Sequence, residues 1–461
     1  MSPVSLLENI GEACQGLGSG ARIYIAYSGG VDSQVLLHAT SIWALQHGLY
    51  ITALHLNHGL SPNADDWLGF CTRQCKALGL ELLYKKVALN DEASGLELRA
   101  REARYTWFES LLESDDVLLM AHHREDQAET FMLRAMRGSG VRGLAAIPAI
   151  RPLGKGRLLR PFLNRSKTDL VAYADQHDLN WIEDESNLSL KFDRNYIRHQ
   201  IMPKLSQRWP QVSRQLLRSA QNCRHDQQLL DELAAIDVDA CQLSSEPLFL
   251  EVLPPLNLNA FRGLSLARQR NALQYLLRPL LIYPVPTEQI NEWLRQVNKA
   301  VQGTQSTLKL DRLTLILHDG QVHFKGSTVT EMVPASLEWC TSSPLAIKAC
   351  GYELKLMPQA QKPVAGVKTL PFEVGETVCV HWRQGGERVQ LQGEEFSRAL
   401  KKLFQEKKHA PWLRRAMPLI SVDGYIVWSA LLGDFSPRLV DAQGQVYSFE
   451  LRQAAEIKSN C

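Results

Sequence analysis

"RIYIAYSGGVDSQVLLHA", residues 22–39, passes from an alternating apolar segment through two glycines and a serine-flanked aspartate into an apolar run of helical spacing. "RIYIAY" reads as a strand and "QVLLHA" as the opening of a helix, so Ser28–Ser33 form a tight turn between them. Ser28, Gly29 and Gly30 suit a turn whose backbone N–H groups face outward, because glycine tolerates close approach and unusual dihedrals. A helix start through Val31 adds unpaired N–H groups and a dipole that favour an anion. The Gly-Lys-Ser/Thr ending of a Walker loop is missing. Asp32 brings a carboxylate to the point where phosphate oxygens gather, which makes sense if magnesium bridges them. A glycine turn with Asp32 as a helix cap explains the turn in isolation. The strand before and the helix after favour phosphate.

The alternation continues downstream. "YITALHL", "LELLYKKV" and "DVLLMAHH" read as strands, separated by segments of helical periodicity, two of them stopped by glycine. Strands alternating with helices predict a doubly wound, mostly parallel α/β sheet of Rossmann-like type, covered on both faces. Ligands of such sheets sit beyond the carboxyl ends of the strands, which marks loops 28–33, 57–61 and 122–126 in advance. A helical domain and a small α+β C-terminal domain are expected to follow. The divisions fall at 1–215, 216–360 and 361–461. "STLKLDRLTLILHDGQVHF" carries a hairpin signature with Asp319-Gly320 as its turn. "FSRALKKLFQEKKHAPWLRRAMP" reads as a basic amphipathic helix ended by proline.

Composition sets outer bounds. The chain has 461 residues, 45% hydrophobic and 22% charged, with a formal net charge of +2. Two or three domains are expected from that length. So small a net charge means that any nucleic-acid surface must come from local clustering. Nine cysteines without a Cys-x-x-Cys suggest reduced thiols rather than a disulfide framework. No apolar run approaches membrane-spanning length, and a cytoplasmic protein without membrane association is expected.

A second constellation lies in "AHHREDQAET", residues 121–130. If a helix begins near His122, then His122, Asp126 and Glu129 share one face, while His123, Glu125 and Gln127 point elsewhere. One histidine and two carboxylates on a stripe suit metal ligation or recognition of a cationic amine; a solvated face paired with arginines is the plainer alternative. "RAREARY" sets Arg101 one turn from Arg104 and Tyr105, where guanidinium groups can neutralise a leaving pyrophosphate or simply pair with surface glutamates.

Several motifs together resemble one family. "SGGVDS" is similar to the pyrophosphate loop of the PP-loop, or N-type ATP pyrophosphatase, superfamily. "LHLNHGL", "ARxxRY", "HHxxDQAET", "RGSGxRGL", "WIEDESN" and "RNYIRHQIMPKL" narrow the likeness to the tRNA(Ile)-lysidine synthetases. "HWRQGGERV" and "KKLFQEKKHAPWLRRAMPLI" match that family's final domain. The resemblance implies an ATP-dependent ligase that joins L-lysine to C2 of the wobble cytidine in tRNA(Ile) bearing a CAU anticodon. It proceeds through an adenylated tRNA and releases pyrophosphate and AMP; dimers are familiar in the family.

Carried over to this chain, Ser28, Gly29, Gly30, Val31, Asp32 and Ser33 would bind ATP, with Mg2+ on Asp32. Asn57 and His58 would contact adenosine. Asp32, His122, Asp126, Arg101 and Arg104 would be catalytic, and Asp126 and Glu129 would hold lysine. Arg194, Arg198, Lys401, Lys402 and Arg414 would bind tRNA. Trp382 and Trp412 are candidates for base stacking or for buried anchors.

Three positions depart from the family pattern: Ser61 replaces an arginine, Glu125 an aspartate and Glu185 a proline. A tRNA thiolase, a non-catalytic ATP sensor with an RNA-binding tail and a structural RNA-binding protein are the competing readings. The missing Cys-x-x-Cys speaks against paired-cysteine thiolases, intact Asp32, Asp126 and Glu129 against the sensor, and the SGG loop against the structural protein.

Overall fold

The alternating segments at the start of the chain fold into one six-stranded sheet of order β3-β2-β1-β4-β6-β5. Its strands are β1 (Ile23–Ala26), β2 (Ile51–Asn57), β3 (Glu81–Lys86), β4 (Val117–Leu119), β5 (Ile150–Leu153) and β6 (Gly156–Leu159). All neighbours run parallel except β5, which closes one edge antiparallel to β6. The period-2 alternation of the strands divides their side chains between two cores. Ile23, Ile25, Val117 and Leu119 face one core, and Tyr24, Leu54, Leu118 and Leu158 face the other. Helices α1 (Leu6–Ala13), α2 (Val31–His47) and α3 (Ala64–Ala77) cover the first face, and α4 (Leu96–Glu109) covers the second. Next come α5 (Arg124–Met136), the short α6 (Val141–Leu144) and α7 (Lys167–Gln176), the last packing on α2 in the first core. This is the doubly wound sheet the sequence predicts.

The strand order places the site. From β1 the chain winds to β2 and β3 on one side and then crosses to β4 on the other. The loops after β1 and β4 therefore diverge at one crevice, the topological switch point where α/β sheets bind ligands.

The computed structural model describes residues 6–18, 20–59, 61, 63–87, 96–185, 189–243, 251–281, 285–301, 305–326, 336–347, 352–359, 368–392, 394–407 and 409–453. Parts of the expected motifs, at Leu60, Ser186, Asn187 and Lys408, lie outside these residues. The chain divides into two units, Met1–Leu229 and Leu230–Cys461. Late in the first unit, a helical turn Asp193–Tyr196 runs into a π-helical stretch Ile197–Ile201, a rare conformation that recurs at functional sites.

In the second unit, helices Leu258–Gly263, Leu266–Leu277 and Thr287–Lys299 share a core with a four-stranded antiparallel sheet. Its Leu313–His318 and Gln321–Gly326 strands pair through the expected turn, with φ positive at both Asp319 (44°) and Gly320 (75°). Two further five-stranded sheets follow and share a core around Trp339, Trp382, Trp428 and Phe449. The single basic helix expected near residue 400 is instead two helices, Leu400–Glu406 and Pro411–Ala416. Pro411 explains the break: it drives Ala410 into an extended conformation (ψ 144°) and then starts the second helix. Among the described residues, no helix is long and apolar enough to cross a membrane.

Candidate active site

Beyond β1, the chain turns sharply at Gly29, whose φ of 86° suits glycine alone. A Cβ there would lie 2.6 Å from Ile182 Cδ1. The Ile182 N–H donates to the Gly29 carbonyl at 2.9 Å, so segment 181–184 closes tightly over the turn. Gly30 caps α2 with extended backbone and no side-chain hydrogen bond. The serine hydroxyls brace the loop from within. Ser33 Oγ donates to the Gly30 carbonyl at 2.9 Å and accepts the Ser28 N–H at 3.2 Å. An α-helix of this length whose N-terminus lacks a side-chain cap is a ready cradle for phosphate.

Asp32 stands in the first turn of α2, and Lys167 Nζ meets both of its carboxylate oxygens at 2.7 Å. Lys167 is the first residue of α7, and its backbone N–H donates to Glu125 Oε2 at 2.8 Å. His123 links the two constellations. Its Nε2 lies 3.8 Å from Asp32 Oδ2 and 3.6 Å from Asp126 Oδ2, and its Nδ1 lies 3.0 Å from Glu125 Oε2. Burial opposes its protonation, yet the Glu125 hydrogen bond and the charges of Asp126 and Asp32 hold its pKa above the ordinary value.

This corrects the helical stripe read from the sequence. Helix α5 starts at Arg124, and His123 is an extended N-cap residue (φ −125°, ψ −175°), so His122 precedes the helix. His123 and Glu125, expected to point elsewhere, stand at the centre of the network. Only Gln127 turns away, bonding the Ile147 backbone through both its amide atoms. Asp126 and Glu129 do share a face of α5, and both are buried.

Two arginines of the following helical segment hold that carboxylate pair. Arg194 donates to Glu129 Oε2 at 2.9 Å and to Asp126 Oδ1 at 2.7 Å. Arg198 donates to Glu129 Oε1 at 2.6 Å and Oε2 at 2.9 Å. Burial would raise the pKa of Asp126, but His123, Arg194 and His122 draw it down to about 2. Arg194 and Arg198 thus stand at the acidic pair, a pairing that sequence spacing did not disclose.

His122 accepts a hydrogen bond at Nδ1 from Arg160 Nε at 3.2 Å. Desolvation, reinforced by Arg160, Arg194 and Arg101 and opposed by Asp126, lowers its pKa to about 3. The ring is therefore neutral at physiological pH. With Nδ1 accepting from Arg160, the proton resides on Nε2. Beside it lies a basic arc. The guanidinium groups of Arg101 and Arg151 stand 4.9 and 4.6 Å from the Tyr105 ring centre. Although burial raises the Tyr105 pKa, Arg101, Arg160 and Arg151 together bring it below the ordinary value. Arg104 contacts His58 Nε2 at 3.1 Å, and His58 is lowered to about 4 by burial, then by Arg104.

Asn57 is engaged in shaping its own loop. Its side chain bonds Asp65 at 3.0 Å and accepts the Gly59 N–H at 2.8 Å. The departures from the family pattern have local partners too. Ser61 Oγ accepts the Asn63 N–H at 3.1 Å, and Glu185 accepts from the Asn63 amide at 3.0 Å. In the second unit, Lys401 and Lys402 are exposed, while Arg414 Nε donates to the His409 carbonyl at 2.7 Å. Trp382 is a buried anchor, and Trp412 packs edge-on against His318 and His323.

Sequence reasoning missed Lys167 and Arg160. Arg160 directly follows β6, so the rule that singled out the other strand ends identifies it as well. Lys167 is signalled only by Ser166 and Asp169, the capping box that starts α7. Among the described residues no cluster of three or more His, Cys, Asp or Glu side chains is arranged to hold a metal by itself. Asp32 beside a phosphate cradle does fit magnesium, which is commonly held by one or two carboxylates together with substrate phosphates.

Three family models match the chain: a PP-loop domain over residues 6–205, a TilS substrate binding domain over 256–323, and a TilS substrate C-terminal domain over 378–435. A tRNA(Ile)-lysidine synthase of Coxiella burnetii is 36% identical over 437 residues, covering 94% of each chain. One of Nitrosomonas europaea is 35% identical over 418 residues, covering 90% of this chain and 88% of its own. One of Pseudomonas fluorescens is 39% identical over 398 residues, covering 86% of each.

Proposed function

The chain belongs to the tRNA(Ile)-lysidine synthase family, and we propose on that basis that it joins L-lysine to C2 of the wobble cytidine of tRNA(Ile) in two steps. In the first, the cytidine C2 oxygen attacks the α-phosphorus of ATP and pyrophosphate leaves. In the second, the lysine ε-amine attacks C2, and AMP departs with the oxygen. The observation that carries this reading is the continuity of the two half-sites. His123 Nε2 lies within 3.8 Å of Asp32 at the phosphate loop and 3.6 Å of Asp126 at the acidic pair.

The uncapped start of α2 and the Ser28–Ser33 turn hold the ATP phosphates. Magnesium, when bound by Asp32 and those phosphates, supplies charge neutralisation for the departing pyrophosphate. Arg101 and Arg104 add positive charge on the side where Tyr105 and His58 lie. Neutral His122, with its proton on Nε2, serves as a hydrogen-bond donor rather than as a base. Asn57 shapes the adenosine loop and His58 lines it.

Asp126 and Glu129 receive lysine: Glu129 Oε1 accepts one guanidinium N–H and Asp126 Oδ2 one backbone N–H, which leaves each carboxylate lone-pair capacity. Arg194 and Arg198 belong to this pocket in addition to any contact with tRNA. Their charge offsets that of the carboxylates, so a bound ammonium gives up its proton more readily than it would beside the acidic pair alone. The segments 216–360 and 361–461 bind tRNA, with exposed Lys401 and Lys402 meeting the phosphate backbone and Arg414 supporting the same surface. The enzyme works in the cytoplasm, where ATP, lysine and tRNA coexist.

The test is pyrophosphate release from ATP without lysine. tRNA(Ile) carrying CAU should support it and other tRNAs should not, since adenylation precedes lysine attack. Release that requires lysine, or that is indifferent to the tRNA, contradicts the two-step order.

A further inference from the structure

Lys167 is tied into the site at both ends. Its backbone N–H is held by Glu125, and its ammonium lies 2.7 Å from each oxygen of Asp32. Asp32 also has His123 at 3.8 Å. Neither side chain of the pair is sealed away: 40% of the Lys167 side chain and 29% of Asp32 remain exposed. An ion pair that open to water contributes little stability, so stability is a poor explanation for its position at the switch-point crevice. A cation bound by Asp32 and the ammonium of Lys167 compete for the same two oxygens. An ammonium displaced from them remains on a flexible four-carbon stem rooted beside the phosphate cradle, where an incoming polyphosphate offers charge to replace that of Asp32.

We propose that Lys167 is the side chain that grips the β- and γ-phosphates of ATP, and that its bond to Asp32 is the resting position of that group. With no nucleotide bound, Lys167 neutralises Asp32. When ATP enters, Asp32 is released for the cation that accompanies the phosphates, and the ammonium turns to their oxygens. Lys167 then holds the pyrophosphate as it leaves. The exchange explains how an acidic residue is kept beside an anion cradle without repelling the incoming anion. It also couples the nucleotide to the acidic helix, because Glu125 anchors Lys167 and contacts His123. This inference rests on the reading of Ser28–Ser33 as the ATP loop and is independent of tRNA and lysine.

Equilibrium binding of ATP, pyrophosphate and AMP to the full-length enzyme tests it, without tRNA or lysine. Lys167→Met should weaken ATP and pyrophosphate by roughly ten- to a hundredfold, as expected for a lost charge-assisted hydrogen bond. AMP, which lacks the β- and γ-phosphates, should bind as to wild type, and Lys167→Arg should recover part of the loss. Equal losses for ATP and AMP, or no loss for either, would overturn the proposal. A reading that needs no variant comes from 13C-methylation of the wild-type lysines, which preserves their charge. The Lys167 methyl resonance should shift with pyrophosphate and stay unmoved with AMP; identical responses would overturn the proposal too. If lysine transfer to tRNA fails while these binding differences appear, the fault lies with the wider functional reading and not with Lys167.

Discussion

Arg198 donates to both oxygens of Glu129, at 2.6 and 2.9 Å, from a π-helical stretch that follows the nucleotide-binding sheet in the chain. Glu129 is almost wholly buried, so this contact and its Arg194 counterpart supply the partners that a carboxylate inside the protein needs. The proposed lysine pocket is consequently an acidic pair bonded to two arginines.

Removing both arginines should expose the cost of that arrangement. The Arg194→Ala/Arg198→Ala double variant leaves Glu129 and Asp126 buried without their guanidinium partners. A loss of about 3–5 kcal/mol is expected, as for a broken buried ion pair. Chemical denaturation measures it; a loss no larger than that of an exposed pair would show that the arginines do not sustain these carboxylates.

Glu129→Gln keeps the shape of the side chain and removes its charge. Pyrophosphate release without lysine should persist, while the lysine KM rises by roughly tenfold or more. Steady-state kinetics with lysine and ATP varied separately distinguish the two effects. Parallel losses in both would contradict the assignment of Glu129 to lysine.

Gly29→Ala should damage the phosphate loop. The new methyl must enter a left-handed conformation (φ 86°) and approach Ile182 Cδ1 to 2.6 Å. About 1–3 kcal/mol of strain is expected, with a lower melting temperature and weaker ATP binding. Wild-type values for both would show that the turn is looser than its close packing implies.

Acidification should reveal His122. Its folded pKa, about 3, lies below the ordinary histidine value of 6.5, so between those limits the unfolded chain binds more protons than the folded one. The contribution of His122 to stability therefore falls as pH drops through that window and is unaffected above it. Relative to wild type, His122→Asn should lose less stability between pH 6.5 and 4.5, with denaturation midpoints as the readout. Parallel curves would mean that His122 titrates normally.

Much of this was legible in the sequence because it is local. The strand, turn and helix around Ser28–Ser33 follow from adjacent residues, and the Asp319-Gly320 hairpin from its turn chemistry. The succession of strand and helix segments predicted a sheet covered on both faces, and Tyr24 and Leu118 do face the core opposite Ile23 and Leu119. The contacts at the site were hidden for the opposite reason. Lys167 and Asp32 are 135 residues apart, and only the docking of α7 against α2 brings them together. His123 was misplaced because its extended N-cap conformation shifts the helix start past His122, and a shift of that size changes which side chains share a face. The Pro411 break was missed because the basic periodicity runs across it, although proline chemistry gives the reason.

Transfer of radiolabelled lysine to tRNA is the decisive measurement of the proposed activity. The purified protein is supplied with ATP, magnesium and either tRNA(Ile) carrying CAU or a panel of other tRNAs, and the acceptor nucleotide is identified after digestion. ATP-dependent label is expected in tRNA(Ile) alone, at the wobble cytidine, and none with Asp32→Ala. Label spread across unrelated tRNAs, or ATP cleavage with no label in any of them, would contradict the proposed activity.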